Sequence, residues 1–200
     1  GLTDYAVSPD GKRAVVQVRS DLHLIPEKGG TTRRLTAMPS AEESPVWIDN
    51  KRVLFVGMQA GKKALYTVDT GGRVETFKAD ELDLAAPSLS PDGKWIAIHR
   101  GANEIAVMPT AGGEMRSVVQ GFLIEGLQGD ASFSWSPDSK WLAAYRPEER
   151  GGSILAANIE SGTTHVLARV PRYAATPKFL PNGKAVYYTS LEDEEMAVSV

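Results

Sequence analysis

The residues that could do chemistry in this chain are few and scattered. His23, His99 and His165 are its three histidines, and histidine is the side chain best suited to proton transfer near neutral pH. They fall at different places of the sequence pattern, on runs that read as strands or strand ends, so each reads as a partly buried strand histidine. The absence of Cys removes disulfides, zinc–thiolate sites and cysteine nucleophiles. There is no Gly-x-Ser-x-Gly elbow, no His-Glu-x-x-His and no glycine-rich phosphate loop leading into a helix. The acidic run Glu192-Asp193-Glu194-Glu195 lacks calcium-loop spacing. Consecutive carboxylates repel one another and read as a solvated loop. Arg33-Arg34 could clamp a peptide carboxylate with paired donors, against the plainer reading of two arginines on an exposed edge strand. The segment is therefore expected to be non-catalytic, with no metal and no cofactor. The residues picked for peptide or partner contact are Arg33 and Arg34, together with Phe122, Leu123 and Ile124 of the long stretch Gln120–Ala131. That stretch reads either as a cover over a sheet edge or as a docking loop, since long loops often carry function.

What would position such residues is a short stretch found five times. Ser90-Pro91-Asp92-Gly93-Lys94 is its cleanest copy, with Ser8–Lys12 and Ser136–Lys140 close behind. Leu180–Lys184 and Ile48–Lys51 are worn copies. Pro presets φ for the first central position of a type I turn, and Asp bonds the local backbone at the next. Gly then takes φ > 0 without a steric penalty. This order predicts a three-residue hairpin loop with a G1 bulge. Ser139 in place of Gly should strain the fourth turn. In the second, which has lost its Pro and one residue, Asn50 is the best remaining left-handed residue.

The turn lysines, Lys12, Lys51, Lys94, Lys140 and Lys184, recur at roughly 40–45 residues, an interval typical of propeller blades. A short run precedes each turn, as in Pro45-Val46-Trp47. An apolar run such as Leu142–Tyr145 follows it, then a third such as Ile105–Met108. A Gly turn and a polar fourth run such as Val74–Phe77 end the unit. Second and third runs rich in Val, Ile and Ala predict strands covered on both faces. A charged fourth run predicts an outer edge. Trp47, Trp95, Trp135 and Trp141 recur beside the turns and read as core. One helical turn over Ala79–Ala86, capped by Asp80, is the only helix the pattern suggests.

The fold class predicted is all-β: a β-propeller of four-stranded antiparallel blades at residues 1–38, 39–79, 80–121 and 122–169, with 170–200 opening a fifth. A repeat stack needs its end faces covered, and the chain opens on Gly1 rather than Met. Both features suggest a piece of a larger protein. The formal charge of −3 favours neither nucleic acid nor an anionic membrane. No apolar run approaches the ~20 residues that cross a bilayer.

The repeat resembles the WD-like propeller pattern Pro-x-Trp-Ser-Pro-Asp-Gly-Lys followed by an apolar strand. Ser20–Gly30 leading to Arg33–Thr36, Val107–Gly113 and Ser134–Ala143 are similar to the version found in Tricorn-type proteases. The periplasmic propeller protein of the Tol–Pal system is the second resemblance. The first implies a non-catalytic propeller that gates or docks peptides for a serine peptidase domain elsewhere in its chain. The second implies a protein-binding propeller of an envelope complex. A third possibility is the propeller cap of a prolyl-oligopeptidase-like hydrolase. The implied partners are peptides, proteins and the remaining domains of a parent chain, and an exported location is favoured over a cytoplasmic one.

Overall fold

The repeated turns close as their residues dictate. Gly11 N–H donates to the Ser8 carbonyl at 2.8 Å, and Ser8 N–H donates to the Arg13 carbonyl at 2.8 Å. The same pair of bonds closes the turns at Ser90–Trp95, Ser136–Trp141 and Leu180–Ala185. Gly11, Gly93 and Gly183 sit at φ 70°, 73° and 71°, and Ser139 at 62°. A left-handed serine costs about 1–2 kcal/mol relative to glycine, as the sequence leads one to expect. Asn50, in contrast, is not among the residues with positive φ. The shorter second turn is held instead by Asp49, whose Oδ1 accepts the N–H groups of Lys51 at 2.7 Å and Arg52 at 2.8 Å.

The computed structural model describes residues 2–121, 132–171, 177–189 and 196–199. Its strands are β1 (Leu2–Val7), β2 (Arg13–Val18), β3 (Asp21–Pro26), β4 (Arg33–Arg34), β5 (Glu43–Trp47), β6 (Arg52–Gln59), β7 (Lys62–Asp69), β8 (Val74–Lys78), β9 (Leu84–Leu89) and β10 (Trp95–Arg100). They continue as β11 (Glu104–Pro109), β12 (Arg116–Gln120), β13 (Phe133–Trp135), β14 (Trp141–Glu148), β15 (Gly151–Asn158), β16 (Thr164–Val170), β17 (Lys178–Phe179), β18 (Ala185–Tyr188) and β19 (Met196–Ser199). Four four-stranded sheets follow chain order, β1–β4, β5–β8, β9–β12 and β13–β16, and β17–β19 form a three-stranded fifth. This is the blade pattern of a propeller, all-β among the described residues. The expected helical turn over Ala79–Ala86 is replaced by a bend at Glu81–Leu82 followed by β9. Asp80 Oδ1 accepts the Leu82 N–H at 3.0 Å, which is a local turn rather than a helix cap. Pro87 also disfavours a helical Ala86.

The chain divides into two compact units, Gly1–Leu89 and Ser90–Val200. In the first, Val15 and Leu22 of one sheet meet Trp47, Val53, Phe55 and Val68 of the next. Trp47 Nε1–H donates to the Ala6 carbonyl at 3.1 Å. In the second, alternation along β14 and β15 splits the side chains between two cores. Leu142, Ala144, Leu155 and Ala157 pack with Ile105, Val107 and Phe133. Ala143, Tyr145 and Ile154 pack with Val170, Val186 and Tyr188. The period of two along each strand therefore covers this sheet on both faces, at about 1.5–3 kcal/mol for each fully buried large side chain. The predicted double burial also holds for β6, β7, β10 and β11, while β3 is only half-buried along most of its length.

Candidate functional site

The turns repeat one dense polar pattern. Ser8, Ser90 and Ser136 are buried, and their hydroxyls donate to the carboxylates of Asp10, Asp92 and Asp138 at 2.7, 2.6 and 2.6 Å. The same hydroxyl oxygens accept the N–H of Arg13, Trp95 and Trp141 at 3.0, 3.0 and 2.9 Å. Each Asp also accepts the N–H of its turn lysine at 3.1 Å. The serine hydroxyl first, with the lysine N–H adding to it, holds all three carboxyls below the usual carboxylate range. Each of these three serines is thus committed on both its donor and its acceptor side, and the carboxylate it donates to sits too low to serve as a strong base. These are turn clamps and not nucleophiles.

In the second unit a groove of about 540 Å³ opens beside two of these turns. Trp95 forms its apolar wall, with the Arg116 guanidinium 5.5 Å from the ring centroid. Arg116 Nη1 donates onward to the Glu160 carbonyl at 2.6 Å. Lys94, Arg116 and Lys140 face Asp92, Asp138 and Glu160 around the rim. Matched charges of both signs beside an indole suit a zwitterionic, peptide-like group better than a polyanion. Sequence reading missed this groove because its lining comes from turns and strands of two different repeats.

The histidines are dispersed, as expected, but differ in burial. His99 is 1% exposed, and desolvation pushes it down to about 4. Its Nε2 lies 2.9 Å from Ser132 Oγ. Among the described residues its ring nitrogen meets only Ser132, through the hydroxyl and the backbone N–H, with no carboxylate beside it to orient it as a catalytic histidine is oriented. His23 is half-buried on β3. His165 is exposed, not partly buried, because it lies on the outer strand β16, where the ring of Trp141 sits 5.7 Å away between centroids. Of the tryptophans, Trp47 is buried in the core of the first unit, Trp95 and Trp135 lie half-buried against the core of the second, and Trp141 is half-buried at the start of β14 rather than in a core.

Arg33 and Arg34 form the two-residue outer strand β4, and both are exposed. Arg34 is held in place: it donates to Asp21 Oδ1 at 2.9 Å and to the Thr36 carbonyl at 2.8 Å. Phe122, Leu123 and Ile124 lie outside the described residues, as does Glu192–Glu195. Among the described residues no group of three or more His, Cys, Asp or Glu could hold a metal ion. No spacing or motif pointed to Glu42, a fully buried carboxylate just before β5.

No family model matches the chain. It is 25% identical to dipeptidyl-peptidase 5 of Porphyromonas gingivalis over 96% of its own length and 37% of that protein. It is 27% identical to the uncharacterized peptidase YuxL of Bacillus subtilis over 70% of its length and 21% of that protein. The chain thus spans well under half of either curated relative. Among solved structures it overlays the tricorn protease with a TM-score of 0.74 at 17% identity, covering 94% of this chain and 18% of that one. It overlays TolB from Acinetobacter baumannii with a TM-score of 0.65 at 19% identity, covering 100% and 54%. With the sheet order above, these likenesses make the chain a segment of β-propeller similar to those of the tricorn protease and TolB.

Proposed function

We propose that this chain is the non-catalytic propeller part of a peptidase, serving as a scaffold and as a gate or docking surface for peptides. One observation carries the reading: both curated relatives are peptidases, and the chain matches 37% of one and 21% of the other. The chemistry of the described residues is consistent with it, since the serines beside acids are turn clamps and the one Ser–His contact is buried without a carboxylate. We assign peptide contact to Arg33 and Arg34 of β4, to Phe122, Leu123 and Ile124 of the stretch between β12 and β13, and to the groove beside Trp95.

Assaying the full-length protein on short peptides tests this, with a fluorophosphonate label mapped by peptide mass spectrometry. Peptide cleavage with the label outside residues 1–200 is the expected result. A label inside them, or no cleavage of any peptide, refutes it. Charge reversal of Arg33 should raise KM for acidic peptides and leave kcat in place.

A protein-docking propeller of an exported complex is the second reading, favoured by the full coverage of this chain by the TolB likeness. Recovery of the full-length protein from the periplasmic fraction, bound to an envelope protein and lacking peptidase activity, would select it.

A further inference from the structure

Two of the five turns lack the glycine before their lysine, and both use its replacement to reach the preceding sheet. In the first unit, Asn50 Oδ1 accepts the backbone N–H of Asp10 at 3.0 Å. In the second, Ser139 Oγ accepts the backbone N–H of Asp92 at 3.0 Å. Each bond joins one sheet's turn to the corresponding turn of the sheet before it. Ser139 is 4% exposed and holds φ 62°, a conformation disfavoured for any residue with a side chain. A serine kept in a glycine's conformation, with its hydroxyl spent on a neighbouring sheet, is explained by that bond.

Gly93 in the third turn has no side chain with which to form such a bond, and within the second unit the fifth turn lacks one too. Gly183 occupies the same position at φ 71° and has no side chain to offer the Asp138 N–H of the preceding turn. The space is there: a Cβ on Gly183 would meet Pro137 Cδ at 3.7 Å, an ordinary contact. The seam between β13–β16 and β17–β19 is held by the apolar cluster around Tyr145, Ile154 and Val186. The Ser134 hydroxyl adds one bond there, donated to the Pro177 carbonyl at 2.7 Å.

We propose that the residue before a turn lysine can act as a seam latch, closed by Asn50 in the first unit and by Ser139 in the second and open at Gly183, so that within the second unit β17–β19 is the sheet set to part from its neighbour along this rim. The sequence alone could not show this, because the latch looks like a worn turn until its partner some forty residues earlier is seen beside it.

Amide hydrogen exchange in the full-length protein, read residue by residue, tests the proposal with two variants. Ser139→Gly should speed exchange at the Asp92 amide roughly three- to tenfold, the effect of one lost hydrogen bond, even though it relaxes the backbone. Gly183→Ser, which installs the latch, should slow exchange at the Asp138 amide and along β18 by a similar roughly three- to tenfold factor. Should Ser139→Gly fail to fold, the Gly183→Ser arm decides alone. Unchanged exchange at Asp92 in the first variant, or at Asp138 and β18 in the second, overturns the latch.

Discussion

The carboxylate of Glu42 is buried against the hydroxyl of Thr36, which donates to its Oε2. The N–H of Leu22 donates to the same oxygen at 3.0 Å, and that of Met38 to Oε1 at 3.1 Å. One acid thereby ties β3 and the segment that follows β4 to the start of the next sheet. Burial pushes its pKa above the ordinary glutamate value of 4.5, and the three donors oppose that without cancelling it.

The folded state therefore keeps the Glu42 proton more tightly than the unfolded chain does. Its contribution to stability is fully present below pH 4.5 and is lost as pH rises through the higher folded value. Glu42→Gln removes this dependence. The difference in Tm between wild type and Glu42→Gln, followed from pH 4 to 7, should move against the wild type as pH rises. A difference that stays flat or moves the other way contradicts the buried-acid account.

His99 supplies a dependence of opposite sign. Its folded value of about 4 lies below its ordinary 6.5, so the unfolded chain takes up a proton first as pH falls. Stability is lost between pH 6.5 and about 4, by roughly 3 kcal/mol at most for a shift of that size. Urea midpoints of His99→Gln should lack this loss. If they track the wild type across the window, His99 is not the buried neutral group described.

The turn serines should matter more than their small size suggests. Ser90→Ala leaves the Trp95 N–H without its acceptor and frees Asp92, at an expected cost of about 1–3 kcal/mol in denaturant unfolding. Because the Asp carboxyls sit low, their contribution is present above their ordinary 3.8 and disappears as pH falls through the lower folded values. A triple variant of Ser8, Ser90 and Ser136 to Ala should accordingly show a shallower loss of stability in strong acid than the wild type.

Two classes of glycine should separate cleanly. Gly11 has open space around a built Cβ, so Gly11→Ala pays only the left-handed backbone penalty, about 1–2 kcal/mol. A Cβ on Gly152 would lie 2.5 Å from the Tyr145 ring and 2.7 Å from the Arg146 carbonyl. Gly152→Ala must move a buried ring and a strand, and should cost about 3 kcal/mol or fail to fold. Chemical denaturation of both variants ranks them, and equal losses would be at odds with this packing.

Much of the fold was legible because it is local. Pro, Asp and Gly within three residues specify a turn through their own φ preferences, and the turn sets the register of the strands on either side. The alternation of Leu142, Ala143 and Ala144 predicts two covered faces without knowledge of what covers them. The helical turn at Ala79–Ala86 was misread because Asp80 serves a local turn as readily as a helix cap, and Pro87 disfavours a right-handed helical Ala86, which sits at φ 48° instead.

The sequence by itself determined the turns, the strands and their four-beat order, since each depends on residues a few positions apart. Tertiary structure alone decided which polar groups met: Asn50 with Asp10, Ser139 with Asp92, Glu42 with Leu22, Arg116 with Trp95. Those pairs lie about twenty to almost fifty residues apart. A hydrogen bond or ring contact depends on angstroms in space, and no spacing along the chain encodes it until strands have paired and neighbouring sheets have packed.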